Sequence, residues 1–560
     1  MISAAVVAAA MGFVPSAALA AEAPAGHGVS AGTASSKGSS KGSSADGQKK
    51  AEAAAKAAAE QGATFHSPAN RSVRTSANAP QAAASVTDNP GLGVDLSARG
   101  VSTYGIKLTS YVYTGVATPI TVDINWGDGK TDSDMVTDSD FVETTHVYSE
   151  LGTRTVTVTV KDLRNNVTAT NTLEVTTVGT KFTPHAPTRL LDTRDGTGAA
   201  GAGAVAPYGT TRVKVGGNSG IPAGVTAVAL NLTATNTAAG GHITAYPAGT
   251  DRPITSNVNF VAGQTVPNMT IVPVGADGYV ELANRSSGTV DLIADVTGYF
   301  TRAVASGYTS LDPYRVVDSR EGLGTAGGQI PGQSTFAVPI AGHAGVPYQG
   351  VTAVALNVTV TNPSNSGHLT VFPGGQQAPS TSNVNFTAGQ TVANSVIVPV
   401  GPDGKINIRN GSWSGADVVV DVVGYYSPGS KAAYLPVTPT RLYDTRDWGL
   451  ALPGQDYEHL ALGAHDLSIT GYVLNTTVTN TEGDGHLTVS PDPNTTSQYD
   501  KGTAIRPTPP NSSNLNWTKG ATVPNLVQAS TGKNGVIDFW NRSWQRTDLV
   551  VDMFGLYDEL

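Results

Sequence analysis

Apolar and polar side chains alternate in short runs from about residue 91 to the end of the chain. In AVALNLTATN, Val228, Leu230 and Leu232 fall on one face of an extended strand while Asn231, Thr233 and Thr235 fall on the other. That is the pattern of a sheet with one buried side. Thr155 to Val160 alternate in the same way. Turn signals such as GADG, GPDG and GKNG, ending short runs near residues 275, 401 and 532, punctuate the strands. The fold class predicted is all-β, built of tandem antiparallel sandwiches or jelly rolls.

The N-terminal part reads differently. Residues 1–20 carry an apolar run that ends in Ala18, Leu19 and Ala20, as a secretory signal does. The run is short and broken by Pro15, which argues against a membrane span. Residues 21–88 are rich in Ala, Gly, Ser and Lys and poor in large apolar side chains, so they are expected to form a disordered stalk. Within it, KKAEAAAKAAAEQ (49–61) has the composition of a helix that is marginal in isolation.

Beyond residue 179 one unit is written three times. Phe182, Tyr308 and Tyr434 open the copies, 126 residues apart. PTRLLDTRDGTG, PYRVVDSREGLG and PTRLYDTRDWGL follow, then ALNLTATN, ALNVTVTN and VLNTTVTN. Next come GHITAYP, GHLTVFP and GHLTVSP, then SNVNF, SNVNF and SNLNW, and finally DVTGYF, DVVGYY and DMFGLY. Copy three carries 13 extra residues between His486 and Asn514 in a Pro/Asn/Thr-rich stretch, the kind of change a surface loop tolerates. The domains predicted are 89–179, then 180–302, 303–428 and 429–560. Each copy is long enough for its own core, so the expectation is a row of beads rather than a continuous superhelix.

Composition narrows the chemistry. Only 14% of residues are charged, and 34 basic against 43 acidic residues leave a net charge of −9, with no basic face for nucleic acid. There is no cysteine, which excludes disulfide scaffolds, thiol catalysis and the common zinc sites. No cofactor is expected.

The stretches ITVDINWGDGK (120–130) and THVYSELGTRTVTVTVKD (145–162) resemble the polycystic-kidney-disease type (PKD) domain, an immunoglobulin-like sandwich. That resemblance implies a spacer or interaction module. The tripled unit, with PTRLLDTR, ALNVTVTN, SNVNF and DVxGYY, resembles a repeat of secreted proteins from streptomycetes and related high-GC Gram-positive bacteria. It implies an extracellular bacterial protein and carries no assigned activity or site residues. Copy three closes at Tyr557 without a sortase signal, so any attachment to a cell surface is expected to be non-covalent.

Asp192 and Arg194, Asp318 and Arg320, and Asp444 and Arg446 lie two apart and share a strand face. They suit a partly buried ion pair that fixes the first strand of each copy, or an arginine fork for carboxylate or sugar hydroxyls. Each copy also holds a His, a Ser and an Asp: His242, Ser256 and Asp192; His368, Ser382 and Asp318; His486, Ser513 and Asp444. The serines lack the Gly-x-Ser-x-Gly context of a nucleophile elbow, so no catalytic residue is assigned. Asp291 and Asp295, with their counterparts Asp417 and Asp421, and Asp548 and Asp552, are too widely spaced along a strand to share a metal, and no metal site is assigned.

Tryptophan is distributed unevenly. Trp517 and Trp540 occupy core-like positions, whereas Trp413 and Trp544 stand at equivalent places in turn-like stretches (NGSW, NRSW) and Trp448 interrupts the loop after Arg446. Flat rings on loops suit stacking against sugars, and a packed lid over the sandwich end is the plain alternative. The sequence thus points to a secreted, non-enzymatic, modular protein whose expected partner is a polysaccharide or cell-wall glycan. A purely structural spacer is the alternative, and a serine hydrolase the remote one.

Overall fold

The computed structural model describes residues 40–68, 73–76 and 89–559. The expected signal at 1–20 lies outside the described residues. Among the described residues, three helices accompany antiparallel β-sheet arranged as four two-sheet sandwiches.

The first sandwich pairs a four-stranded sheet with a five-stranded one. Its Gly127 and Gly129 adopt left-handed φ of 78° and 89°, and a Cβ on Gly127 would lie 2.6 Å from the Thr155 carbonyl oxygen, so the WGDG turn accepts only glycine there. Trp126 is fully buried, stacks on His146 at 4.7 Å, and donates its indole N–H to Asp132. Asp128 accepts from the Lys130 amide and pairs with His146 at 2.8 Å, which makes it a turn-closing carboxylate.

This sandwich also takes in Thr64–His66 and Val73–Ser76, both from the stretch expected to be a free stalk. More of that expectation is overturned by the helix Ser40–Gly62, which lies in the crevice between the first sandwich and copy three. Ala51 and Ala59 are buried, and Gly47 approaches the Leu442 carbonyl. Glu60 pairs with Arg99, and Arg302 donates to the Gly62 carbonyl at 2.8 Å. Small side chains let the helix axis come close, so many short-range contacts replace the large apolar residues whose absence suggested disorder.

Each copy is a sandwich of two four-stranded sheets. In copy one the inner sheet runs Lys181–Asp192, Asp291–Thr301, Ala227–Thr235, Val266–Pro273, and the outer sheet runs Thr210–Lys214, Tyr279–Asn284, Gly241–Pro247, Val258–Phe260. Copies two and three repeat this order. Val228, Leu230 and Leu232 point into the copy's own core with Ile243, Leu282 and Val296.

The opposite face of Ala227–Thr235 is buried as well, along its whole length. On it Ala227 and Ala229 join a cluster shared by all three copies, and Asn231 meets copy two. Phe182, Tyr308 and Tyr434, with Phe300, Tyr426 and Tyr557, form one aromatic cluster in which Phe182 meets Tyr426 at 4.2 Å, Tyr308 meets Tyr557 at 4.2 Å and Tyr434 meets Phe300 at 4.4 Å. Each opening ring therefore packs on the closing ring of the next copy, and the series returns to its start. The three copies are a closed ring about a shared core, not beads. The glycine of each DVxG motif makes room for it, since a Cβ on Gly298, Gly424 or Gly555 would collide with the ring of Phe182, Tyr308 or Tyr434 respectively.

Candidate functional site

Polar residues hold the ring together just outside its aromatic centre. The Asn231 side-chain amide donates to the Ser382 carbonyl of copy two at 2.6 Å, Asn357 donates to the Ser513 carbonyl of copy three, and Asn475 donates to the Ser256 carbonyl of copy one at 2.6 Å. In return, Asn394 donates to Asn231 at 2.9 Å, Asn525 to Asn357 at 3.1 Å, and Asn268 to Asn475 at 2.9 Å. All six are buried, and a buried amide left unpaired costs about 1–3 kcal/mol. The ALNxTxTN and SNxN phrases are thus the two halves of a junction used three times.

A chain of charges stands beside each junction. In copy one Arg194 grips Asp192 through Nε at 2.9 Å and Nη2 at 2.6 Å. Arg189, the arginine of PTR, spans Asp192 at 3.0 Å and Asp295 at 2.9 Å. Arg320 holds Asp318, Arg446 holds Asp444, and Arg315 and Arg441 bridge to Asp421 and Asp552 in the same geometry. The Arg194 guanidinium holds the Asp192 carboxyl below the usual range, while burial pushes Asp295 up against the pull of Arg189. Sequence reasoning paired the first aspartate with the arginine two residues on and missed Arg189, Arg315 and Arg441. Their strict recurrence three residues before the aspartate was the available signal.

The serine, histidine and aspartate of one copy do not assemble into a relay. Ser256 and Ser382 each donate their hydroxyl to an asparagine three residues on, Asn259 and Asn385, at 3.1 Å, and Ser513 does so to Asn516 at 3.4 Å. The aspartates are committed to arginine. Instead, His242 and Ser256 of copy one share a groove of about 170 Å³ with Arg441 and Arg446 of copy three. Burial, then the charges of Arg285, Arg441 and Arg252, push the His242 imidazole down to about 4, so it is neutral at pH 7. His486 is likewise pushed down to about 4 by burial, then by Arg542 and Arg315 of copy two. Among the described residues no three His, Asp or Glu side chains converge as metal ligands, and no described helix is long and apolar enough to cross a membrane.

The outer loops present aromatic rings. Trp413 and Trp544 are 84% and 85% exposed. Each stands three residues after a fully buried asparagine that fastens its loop: Asn410 donates to the Ile330 and Ser414 carbonyls, and Asn541 to those of Leu452 and Gln545. Asn284 makes the same set in copy one, where Ser287 takes the tryptophan position and the exposed Tyr208 lies under Arg285. Trp448, half exposed, ends a single-turn helix (Thr445–Trp448) capped by the Asp444 side chain. Trp517 and Trp540 are buried, the latter stacked on Tyr457 at 4.4 Å.

Copy three differs most in its insertion. The stretch read as a loop includes the helix Thr496–Lys501, started by a Thr495/Gln498 capping box. It covers a buried polar nest. Tyr499 donates to Asp492 and meets Tyr457 at 3.1 Å, while His459 stacks on Tyr499 at 3.8 Å. Burial, then the neighbouring Asp492, push the Asp538 carboxyl up to about 10, so it keeps its proton at neutral pH.

No family model matches the chain, and no curated protein does. Among solved structures, the chain is similar to a SusE-like protein at 12% identity, covering 35% of this chain and 94% of that one with a TM-score of 0.11. A carbohydrate-binding module of the β-sandwich superfamily gives 14% identity, 35% and 86% coverage and a TM-score of 0.13. A triple jelly-roll turret protein of an archaeal virus gives 10% identity, 68% and 90% coverage and a TM-score of 0.15. Overlap this slight carries no argument about activity.

Proposed function

We propose that this is a secreted, non-enzymatic protein that binds glycan or cell-envelope surfaces through aromatic rings on the rim of its three-copy ring, with the PKD-like sandwich as a spacer. One observation carries the reading: Trp413 and Trp544 stand almost fully exposed at equivalent positions on loops fastened by buried asparagines. An exposed indole offers apolar area and an N–H donor to a sugar face. A fastened loop loses little freedom on binding, so the contact is preorganised. Two or three such rings on one rigid body convert weak contacts into avidity.

The test is retention on insoluble polysaccharide and on peptidoglycan. Wild-type protein should be retained, and the combined Trp413→Ala, Trp448→Ala and Trp544→Ala variant should elute in the wash. Wild-type protein that passes through every matrix returns the reading to a structural or matrix role.

A further inference from the structure

The groove between copies one and three has a property that neither copy has alone. Its walls bring the His242 and Ser256 side of copy one against Arg441, Arg446 and Thr477 of copy three. Thr477 is 4% exposed, lines the groove, and its hydroxyl has no hydrogen-bond partner. That oxygen is sealed from the groove, so Thr477 shapes the floor and is not a ligand partner. The Arg446 guanidinium spends Nε and Nη2 on Asp444, which leaves Nη1 unpartnered among the described residues while the side chain stays 45% exposed. Neither ring nitrogen of His242 meets a protein partner among the described residues, and Asn259 uses only its carbonyl, accepting from Ser256. At the mouth Ile254 is 76% exposed, an apolar surface beside a polar recess.

We propose that this groove is a binding site for one carboxylate-bearing sugar unit, with Arg446 taking the carboxylate, His242 and Asn259 the ring hydroxyls, and Ile254 the apolar face of the ring. About 170 Å³ gives room for a single six-membered ring. An arginine N–H matches a carboxylate better than it matches a hydroxyl. Arg252 and Arg285 add positive charge near the neutral His242, whereas Arg441 is already paired with Asp444 and Asp552. The inference rests on the glycan reading for the sugar part of the ligand only, because the site is separate from the rim tryptophans.

The experiment titrates the full chain with sodium glucuronate, glucose and acetate by calorimetry and by ligand-observed NMR. Saturable binding of glucuronate at one per chain is expected, with glucose and acetate each at least about tenfold weaker. Asn259→Ala, on the edge strand Val258–Phe260, weakens glucuronate about tenfold, the worth of one hydrogen bond. Ile254→Trp at the exposed mouth blocks it, whereas Trp413→Ala with Trp544→Ala leaves it intact. Absence of saturable glucuronate binding, or binding indifferent to both groove variants, overturns the proposal. Acetate binding as tightly as glucuronate reduces the site to an anion pocket and overturns the sugar assignment. Glucuronate binding without retention on any matrix upholds the groove and removes the tryptophan reading, and retention without glucuronate binding does the reverse.

Discussion

The two faces of each inner sheet are both buried, yet by unlike chemistry. Toward its own outer sheet, copy two sets Leu356, Val358 and Val360 into an apolar core that is complete within the copy. Toward the other copies it sets Ala353 and Ala355 at the centre, and then the buried Asn357, whose inter-copy partners Ser513 and Asn525 belong to copy three. The first face follows the ordinary rule of burial. The second shows that recurrent polar residues in a repeat protein can mark where one copy meets the next rather than where the sheet meets water. Its alanines permit close approach, and its asparagines make the approach specific, because a buried amide accepts only a partner at the right place.

The largest effect should come from separating these faces. Copy two expressed alone as residues 303–428 keeps its own core but exposes Tyr308, Tyr426, Ile397 and Ala355 together. An exposed apolar surface of that kind drives association. Sedimentation should show a trimer or an aggregate rather than a stable monomer. A well-behaved monomer would mean that the axis contributes little to the fold.

Within the intact chain, Asn475→Ala removes the donor to the Ser256 carbonyl and one of the two acceptors of the Asn268 amide, leaving a buried carbonyl and a buried N–H unpaired. A loss of roughly 2–4 kcal/mol is expected in urea unfolding, since each unsatisfied buried group costs about 1–3 kcal/mol. Asn475→Asp should be no milder, because it sets a second carboxylate across the sheet from Asp552.

Copy three offers a sharper version of the same contrast. Its insertion buries a carboxyl, Asp538, where copies one and two leave the equivalent Glu281 and Asn407 partly exposed. Neither Asp538 oxygen makes a well-formed hydrogen bond, and its carboxyl titrates near 10 in the folded state against 3.8 ordinarily. Between those values the folded state holds a proton that the unfolded state has lost, so this group makes stability fall as pH rises from about 4 toward about 10. Asp538→Asn keeps the shape and removes the titration. It should raise stability at pH 8 by roughly 1–3 kcal/mol and flatten the decline measured by thermal melts across that window. An unchanged slope would place the pH dependence elsewhere.

Much of this architecture was legible in the chain, because strand period, turn residues and copy boundaries are local signals. The aromatic residues opening each copy and the glycines of DVxG were visible as landmarks, but that one makes room for the other is a packing fact that no spacing states. Asn231, Asn357 and Asn475 stood on the face read as solvent-exposed, since alternation reports polarity and not what covers it. The helix at 40–62 was read in part, over 49–61, but its docking was missed for a related reason: alanine and glycine look weak by hydrophobicity but dock well where backbones can approach. Trp517 and Trp540 were placed correctly as packing residues because each substitutes within a strand. The insertion's helix and its buried Asp538 depend on contacts between Asp492, Tyr499 and Tyr457, which are far apart in sequence.

The smallest expected effect on stability lies at the rim, and it completes the contrast with the axis. Trp413→Ala and Trp544→Ala remove rings that touch little protein, so each should shift unfolding by no more than about 0.5 kcal/mol. The loop anchors Asn410 and Asn541 remain in place in these variants, and the backbone that carried the indole keeps its course. If the tryptophans instead packed as lids, their loss would cost about 3–5 kcal/mol, the usual effect of truncating a buried aromatic. Paired measurement of melting temperature and matrix retention separates these outcomes, because a ring kept for a ligand gives up binding without stability, whereas a ring kept for the fold gives up both.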